Sequence, residues 1–457
     1  MTKRNCLSIV LAAGLGTRMR SDMPKVLHPI GNLPLIGHVL KALAQAASDR
    51  MAVVVGPGMD DLDRLVKSLA PSASCHVQAD RLGTAHAALA ARSAMEDPAD
   101  DVLVLFGDTP LITPASVETV RGALADGADV AVLGFEAADP FGYGRLLVRD
   151  GKLQAIREEK DATDEERKVS FCNSGIMGFR GPIVLDLLEA IGNDNANGEY
   201  YLTDAVEIAN EKGLTVVAVA ADEEEVQGIN TRAQLAACEA VFQKRMRLAA
   251  MEGGVTLQAP DTVFFSHDTV LEPDVVVEPN VVFGTGVAVA SGARIRAFCH
   301  LEGAHVGAES IVGPYARLRP GAELSQNVHI GNFVEVKNAT IGTGAKANHL
   351  AYIGDADVGA GSNIGAGTIT CNYDGFGKHR TVIGAGSFIG SNSTLVAPVA
   401  LGDGVYVGAG SVVTRNAEPD SLVIGRGRQV TKPGRAAGIR ARFKAARAAK
   451  SKPDQQA

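Results

Sequence analysis

The chain lacks any paired-cysteine signature. Its six cysteines, Cys6, Cys75, Cys172, Cys238, Cys299 and Cys371, are scattered, and none belongs to a CxxC pair. This spacing argues against a zinc or dithiol redox motif and fits reduced thiols in a cytoplasmic protein. Also missing is an apolar run long enough to span a bilayer. The first apolar stretch, inside MTKRNCLSIVLAAG, leads straight into glycines. It reads as a first strand, not as a leader. Nor is there a surplus of positive charge, since the formal net charge is -8. Neither nucleic acid nor membrane insertion is expected, so any anion must be held by local groups. With 46% apolar and 21% charged residues over 457 positions, two or three globular domains are expected.

The first half alternates between two patterns. Continuous apolar runs fall at Leu7–Ala12, Ala52–Val55, Val102–Phe106 and Val130–Leu133. Helical spacing separates them at Ile36–Ala47, Asp60–Leu69, Ala85–Met95 and Pro114–Ala125. Such alternation predicts an α/β domain with a mostly parallel, Rossmann-like sheet. Further strands are predicted near Leu146–Val148, Phe171–Phe179 and Val216–Ala220. Thr231–Glu252 contains no glycine or proline and reads as one long helix.

The second half is built differently. Of 51 glycines, 26 lie between Val281 and Val430, a density that disfavours long helices. Apolar residues recur there every six positions. Val306, Val312, Leu318, Leu324, Ile330 and Val336 form one series. One-residue slips introduce Ile341, Ala347 and Ile353, then Val358, Ile364 and the weak member Thr370. Ile383, Ile389, Leu395, Leu401, Val407 and Val413 resume it. A weaker series, Val270, Val276, Val282 and Ala288, precedes it. Six residues match neither a helix nor a plain strand. They match one side of a stacked β-coil with a tight corner, so a parallel β-helix of hexapeptide repeats is expected. The polar break ITCNYDGFGKHRTV reads as a loop leaving the coil. Arg435–Lys452 holds seven Lys or Arg and no acid, and reads as a solvated basic tail.

The glycine loop itself is VLAAGLGTRMRSDMPKVL. Glycines after a buried strand let backbone N–H groups reach an anion, and Arg18 and Lys25 add charge. Two familiar loops are excluded. After Gly14 and Gly16 the third Rossmann position is Met19, and no Walker A pattern is present. The remaining pattern, LxAGxGTRMxSxxPKxL, resembles the signature of the sugar-nucleotide pyrophosphorylases. That resemblance puts Arg18 and Lys25 on the phosphates of UTP as catalytic groups, with Leu11, Ala12, Ala13 and Gly14 around the nucleotide. VLVLFGDTPL would supply Phe106, Gly107 and Asp108. QADRLGTAHA would supply Gln78, Gly83 and Thr84 for the uracil. GYGRL and REEKDAT imply Gly144 and Glu158 at the sugar, and NSGI implies Asn173. GINTR implies Asn230, which with Asp108 would hold Mg²⁺.

With the coil included, nearly the whole chain resembles the bacterial bifunctional N-acetylglucosamine-1-phosphate uridyltransferases/glucosamine-1-phosphate N-acetyltransferases. The resemblance implies a left-handed β-helix and a homotrimer with acetyltransferase sites between subunits. It implies acetyl-CoA and UTP as co-substrates, and a product used for peptidoglycan and lipopolysaccharide. His349 would be the general base. Arg319, Lys337, Tyr352 and Asn363 would hold the sugar phosphate. Ala366, Asn372, Tyr373, Ser391, Ala409 and Arg426 would contact acetyl-CoA or nearby acceptor groups. The implied division is 1–230 for the uridyltransferase domain, 231–252 for a linker helix, 253–434 for the β-helix and 435–457 for the tail. Two other readings remain at this point. The coil would only oligomerise a single-function pyrophosphorylase, or the whole chain would be a scaffold.

Overall fold

The computed structural model describes residues 4–195 and 197–450. They form two units, one from the chain up to Glu272 with Pro279–Val287, the other from Pro273–Glu278 with the chain from Ala288 onward.

The first unit is a nine-stranded sheet between helices. Its strands are β1 (Cys6–Leu11), β2 (Arg50–Val55), β3 (Ser74–Val77), β4 (Asp101–Phe106), β5 (Val130–Glu136), β6 (Arg145–Arg149), β7 (Lys152–Arg157), β8 (Phe171–Arg180) and β9 (Val216–Ala220). The order is β9-β5-β8-β4-β1-β2-β3, with the β6-β7 hairpin against β8. Only β8 and the hairpin break the parallel arrangement of the main sheet. All six residues of β1 are buried because the sheet is covered on both faces. Ile9, Val54 and Val104 pack into one core, and Val10, Val53 and Leu105 into another. Each fully buried aliphatic side chain of this kind contributes roughly 1.5–3 kcal/mol. The chain leaves β1 toward β2 and β3, then returns to β4 on the other side of β1. The two connections diverge, which opens a crevice beyond Leu11 and Phe106 at the strand ends.

The long helix, α1 (Arg232–Glu252), belongs to this unit. Thr231 accepts from the Gln234 N–H while Gln234 reaches back to the chain before the helix, forming a capping box. Phe242 packs so closely on Gly31 that a Cβ there would lie 2.2 Å from the ring.

The second unit is a left-handed parallel β-helix. Strands at Arg294–Ile295, Ile311–Val312, His329–Asn332, Lys346–His349, Asn363–Ile364, Phe388–Ile389 and Tyr406–Val407 stack in register on one face. A second face carries Arg317–Leu318, then the first halves of Glu335–Ile341 and Tyr352–Val358, then Ile369–Cys371. The second halves of those long strands turn onto the third face. The six-residue series from Val306 to Val413 points inward throughout, including Thr370. The Thr370 hydroxyl accepts from the Gly354 N–H at 2.8 Å and donates to its carbonyl at 3.0 Å. A hydroxyl is tolerated inside because both its roles are filled.

The earlier apolar series needs correction. Val270 and Val282 are exposed and Val276 and Ala288 half-buried. The inward residues come one position later: Val277, Phe283, Val289, Ile295 and Leu301, all 0–1% exposed. Those strands are only two residues long, and both positions are apolar, as in Val276-Val277 and Val282-Phe283. Neighbouring side chains in a strand point to opposite sides, so composition alone does not identify the inner one.

Glycine serves two purposes in the coil. Gly361 takes φ +67° at a corner. At Gly359 the reason is proximity, since a Cβ would lie 2.4 Å from the Ala385 nitrogen on the next turn. The tail forms a helix, Arg435–Lys450, whose described side chains are exposed.

Candidate active sites

The crevice of the first unit is a cleft of about 800 Å³. Leu11, Ala12, Ala13, Gly14, Arg18, Lys25, Gln78, Gly83, Thr84, Phe106, Asp108, Gly144, Glu158, Asn173 and Asn230 line it. Of the residues expected there, Gly107 does not line it. It lies against Ala12 and Val26, and its N–H donates to the Leu11 carbonyl at 3.0 Å.

Local folding explains how these side chains converge. After β1 the loop turns through Gly16 at φ +64°, where a Cβ would lie 2.5 Å from Cβ of Lys25. A single turn, Thr17–Met19, follows. Met19 is buried with Ile229 and Phe242, and the Arg232 guanidinium donates to its carbonyl at 3.3 Å. The loop is therefore tied to the segment that presents Asn230. Asn230 itself is fixed from behind, because its N–H donates to the Gln234 side chain at 2.8 Å.

Lys25 stands at the centre of this arrangement. Its ammonium pairs with the Asp108 carboxylate and donates to Oδ1 of Asn230 at 3.0 Å. Two oxygens from distant parts of the chain thus face one cationic position. A small set of hard oxygen donors, with the remainder left to water and phosphate, suits Mg²⁺. Among the described residues no group of three or more His, Cys, Asp or Glu could hold a metal.

The other wall depends on close backbone crossings. A Cβ at Gly83, φ +120°, would lie 2.5 Å from the Tyr200 carbonyl oxygen. Buried Gln78 donates to the Gly83 carbonyl at 3.3 Å. Strand β8 carries a register shift between Asn173 and Met177. Gly175, φ +84°, lies over Phe106 in that bulge, and its N–H donates to Asn173 Oδ1 at 2.9 Å. The bulge turns Asn173 into the cleft. A second cavity of about 400 Å³ shares Thr84, Phe106, Glu158 and Asn173 and adds Tyr201 and Thr203. Burial pushes the Glu158 carboxyl above its ordinary range, while the Thr203 hydroxyl, 3.5 Å away, pulls the other way.

Motif reading missed Arg81, Tyr201 and Thr203. Arg81 lines the large cleft and donates to the Ala13 carbonyl at 2.7 Å, bracing the glycine loop. It lies inside QADRLGTAHA, so its charge beside two expected contacts was the available signal.

In the second unit the expected residues fall into distinct groups. His349, Ala366, Ser391 and Ala409 follow one another down a single edge of the coil. The ladder is visible in the N–H of Gly367 donating to the His349 carbonyl (3.4 Å), Asn392 to Ala366 (2.7 Å) and Gly410 to Ser391 (2.8 Å). Arg426 is near the same edge, its Cδ 4.0 Å from a Cβ position at Gly410.

A second group is cationic. Arg319 pairs with Glu335 at 2.8 Å. The neighbouring Lys378 holds the Lys337 amine below the ordinary lysine value, with Arg319 adding to the effect. Lys378 comes from the loop inserted after Cys371 and was not among the expected contacts. Asn372 is buried and donates to Asp355 and, at 3.4 Å, to the Tyr352 hydroxyl. Burial would raise the Asp355 carboxyl, but the Asn338 and Asn372 amides and both lysines keep it below its usual range. Tyr373 is exposed on the loop, its hydroxyl donating to the Gly375 carbonyl at 2.7 Å. Asn363 stands apart from Tyr352. It pairs with Lys346 and Phe388 on another face.

Residues 8–169 match the MobA-like NTP transferase domain, and residues 380–415 match the bacterial transferase hexapeptide (six repeats). The matched domains are those of a nucleotidyltransferase joined to a hexapeptide-repeat transferase. The chain is 58% identical to the bifunctional protein GlmU of Azorhizobium caulinodans, covering 96% of this chain and 98% of that one. It is 58% identical to the GlmU of Xanthobacter autotrophicus, covering 99% and 100%, and 55% identical to that of Agrobacterium fabrum, covering 98% and 99%. The chain belongs to the bifunctional GlmU family. All six cysteines are free thiols, and no described helix is long and apolar enough to cross a membrane.

Proposed function

We propose that this chain makes UDP-N-acetylglucosamine in two consecutive steps. The β-helix transfers acetyl from acetyl-CoA to the amine of glucosamine-1-phosphate. The cleft in the sheet unit then couples N-acetylglucosamine-1-phosphate to UTP and releases pyrophosphate. The product would feed peptidoglycan and lipopolysaccharide synthesis in the cytoplasm. The working division is 1–230, 231–252, 253–434 and 435–457.

In uridylyl transfer both reactants are anions. Positioning and charge neutralisation therefore carry most of the barrier reduction, and the sugar phosphate needs no base. Asp108 and Asn230 would hold Mg²⁺, whose chemistry when bound is to neutralise charge on the reacting phosphates. Lys25 and Arg18 stabilise the departing pyrophosphate. Gln78, Gly83 and Thr84 orient the uracil, and Gly144, Glu158 and Asn173 orient the sugar. The observation that carries this assignment is the convergence of Asp108 and Asn230 on the Lys25 ammonium within the cleft.

In acetyl transfer the phosphate of the acceptor is held by Arg319 and Lys337, with Lys378 beside them. Tyr352 and Asn363 bind the sugar. Neutral His349 takes a proton from the attacking amine. Ala366, Asn372, Tyr373, Ser391, Ala409 and Arg426 contact acetyl-CoA. The distribution of expected residues over two faces and one edge supports a homotrimer in which neighbouring copies complete each site.

One mass-spectrometric assay tests the whole reading. Glucosamine-1-phosphate, acetyl-CoA, UTP and Mg²⁺ together give UDP-N-acetylglucosamine. Without UTP the reaction stops at N-acetylglucosamine-1-phosphate; without acetyl-CoA no acetylated product forms. Formation of nucleotide sugar only when N-acetylglucosamine-1-phosphate is supplied would reduce the coil to an oligomerisation module.

A further inference from the structure

We infer that Asn332 is a positioning residue for acetyl transfer, holding His349 in the tautomer that leaves Nε2 free to accept a proton. The inference rests on the reading of His349 as the base.

Strands His329–Asn332 and Lys346–His349 pair in parallel, with Asn332 directly opposite His349. Oδ1 of Asn332 lies 2.7 Å from Nδ1 of His349. An amide oxygen only accepts, so this contact requires the ring proton on Nδ1. The lone pair is then on Nε2. Both backbones are fixed by the coil, since the Leu350 N–H donates to the Asn332 carbonyl at 3.0 Å and the Gly367 N–H to that of His349 at 3.4 Å. Ring orientation is therefore set by two stacked coils and not by a free loop.

The type of partner matters as well as its place. A carboxylate opposite Nδ1 would favour the charged imidazolium and hold the proton the base must be ready to take. Asn332 orients the ring without adding charge. His329 interacts electrostatically with His349, and His329 is itself held below its ordinary value by burial, Arg296 and Lys346. In the reaction the amine nitrogen bonds to the acetyl carbon as its proton moves to Nε2. The carbon–sulfur bond then breaks, and the imidazolium returns that proton to the CoA thiolate.

The test is the pH profile of kcat/KM for acetyl transfer by full-length Asn332→Asp and Asn332→Leu. The carboxylate variant should move the acid limb to higher pH by about one pH unit and recover activity above it. The leucine variant should lose kcat by roughly 10-fold or more, with substrate KM values much less affected. An Asp variant with the wild-type profile, or one inactive at every pH, overturns the inference whether or not the Leu variant folds. His349→Ala separates the two layers: if it retains acetyl transfer, the base assignment itself fails. If it is inactive while the Asp profile is unmoved, only the role of Asn332 falls.

Discussion

The two units place functional side chains by opposite means. In the sheet unit the cleft is assembled from segments spread between Leu11 and Gln234, and several different connections contribute to it. A strand-order reversal opens the space, and loops braced from behind fill it. In the coil, repetition does the placing. His349, Ala366, Ser391 and Ala409 share an edge because each occupies an equivalent corner of a successive turn. An assembled site depends on tertiary crossings such as Gly83 against Tyr200. A repeated site depends on keeping phase, and an insertion such as the one that brings Lys378 adds what repetition does not supply.

The largest effect expected from this contrast is on the coil. His349→Ala should lower acetyl transfer by roughly 10²–10⁴-fold in steady-state assays. Uridylyl transfer from N-acetylglucosamine-1-phosphate should stay at the wild-type rate. Lys25→Ala is the mirror experiment, expected to cost about 10²–10³-fold in uridylyl transfer while acetyl transfer is unchanged. Damage to both activities by either variant would break the comparison.

Two smaller effects sharpen the picture of the assembled site. Thr231→Ala removes the cap behind Asn230 and should cost about 1 kcal/mol in chemical denaturation. It should also raise the Mg²⁺ concentration needed for half-maximal uridylyl transfer. Glu158→Gln should give the smallest change, a higher thermal midpoint at neutral pH. Burial raises the folded-state pKa of Glu158, so ionised Glu158 destabilises the folded form. The gain from glutamine should therefore be complete above the folded pKa and vanish as pH falls toward the unfolded value of about 4.3. A gain that persists in acid would point to packing instead of charge.

Much of this architecture is legible in the order of the residues alone. Strand–helix alternation defines the sheet, and every member of the inward series from Val306 to Val413 is buried, even Thr370. The first unit's motif residues other than Gly107 line one cleft. What is not legible has physical reasons. In two-residue strands such as Val276-Val277, hydrophobicity does not distinguish the inner from the outer side chain, so the early series is displaced by one. Tyr201 and Thr203 reach the second cavity through chain crossings that leave no local pattern. The Asn332–His349 contact joins residues 17 apart, the length of one coil, so it appears only when consecutive turns are stacked.

The central claim is that one chain carries two independent active sites linked only by a freely released intermediate. Its most direct test is to mix equal amounts of separately purified His349→Ala and Lys25→Ala proteins with glucosamine-1-phosphate, acetyl-CoA, UTP and Mg²⁺, and to follow UDP-N-acetylglucosamine by mass spectrometry. Each variant alone should make almost none from glucosamine-1-phosphate, and the mixture should restore its formation. A mixture as inactive as its components, although each retains its own single step, would contradict the claim.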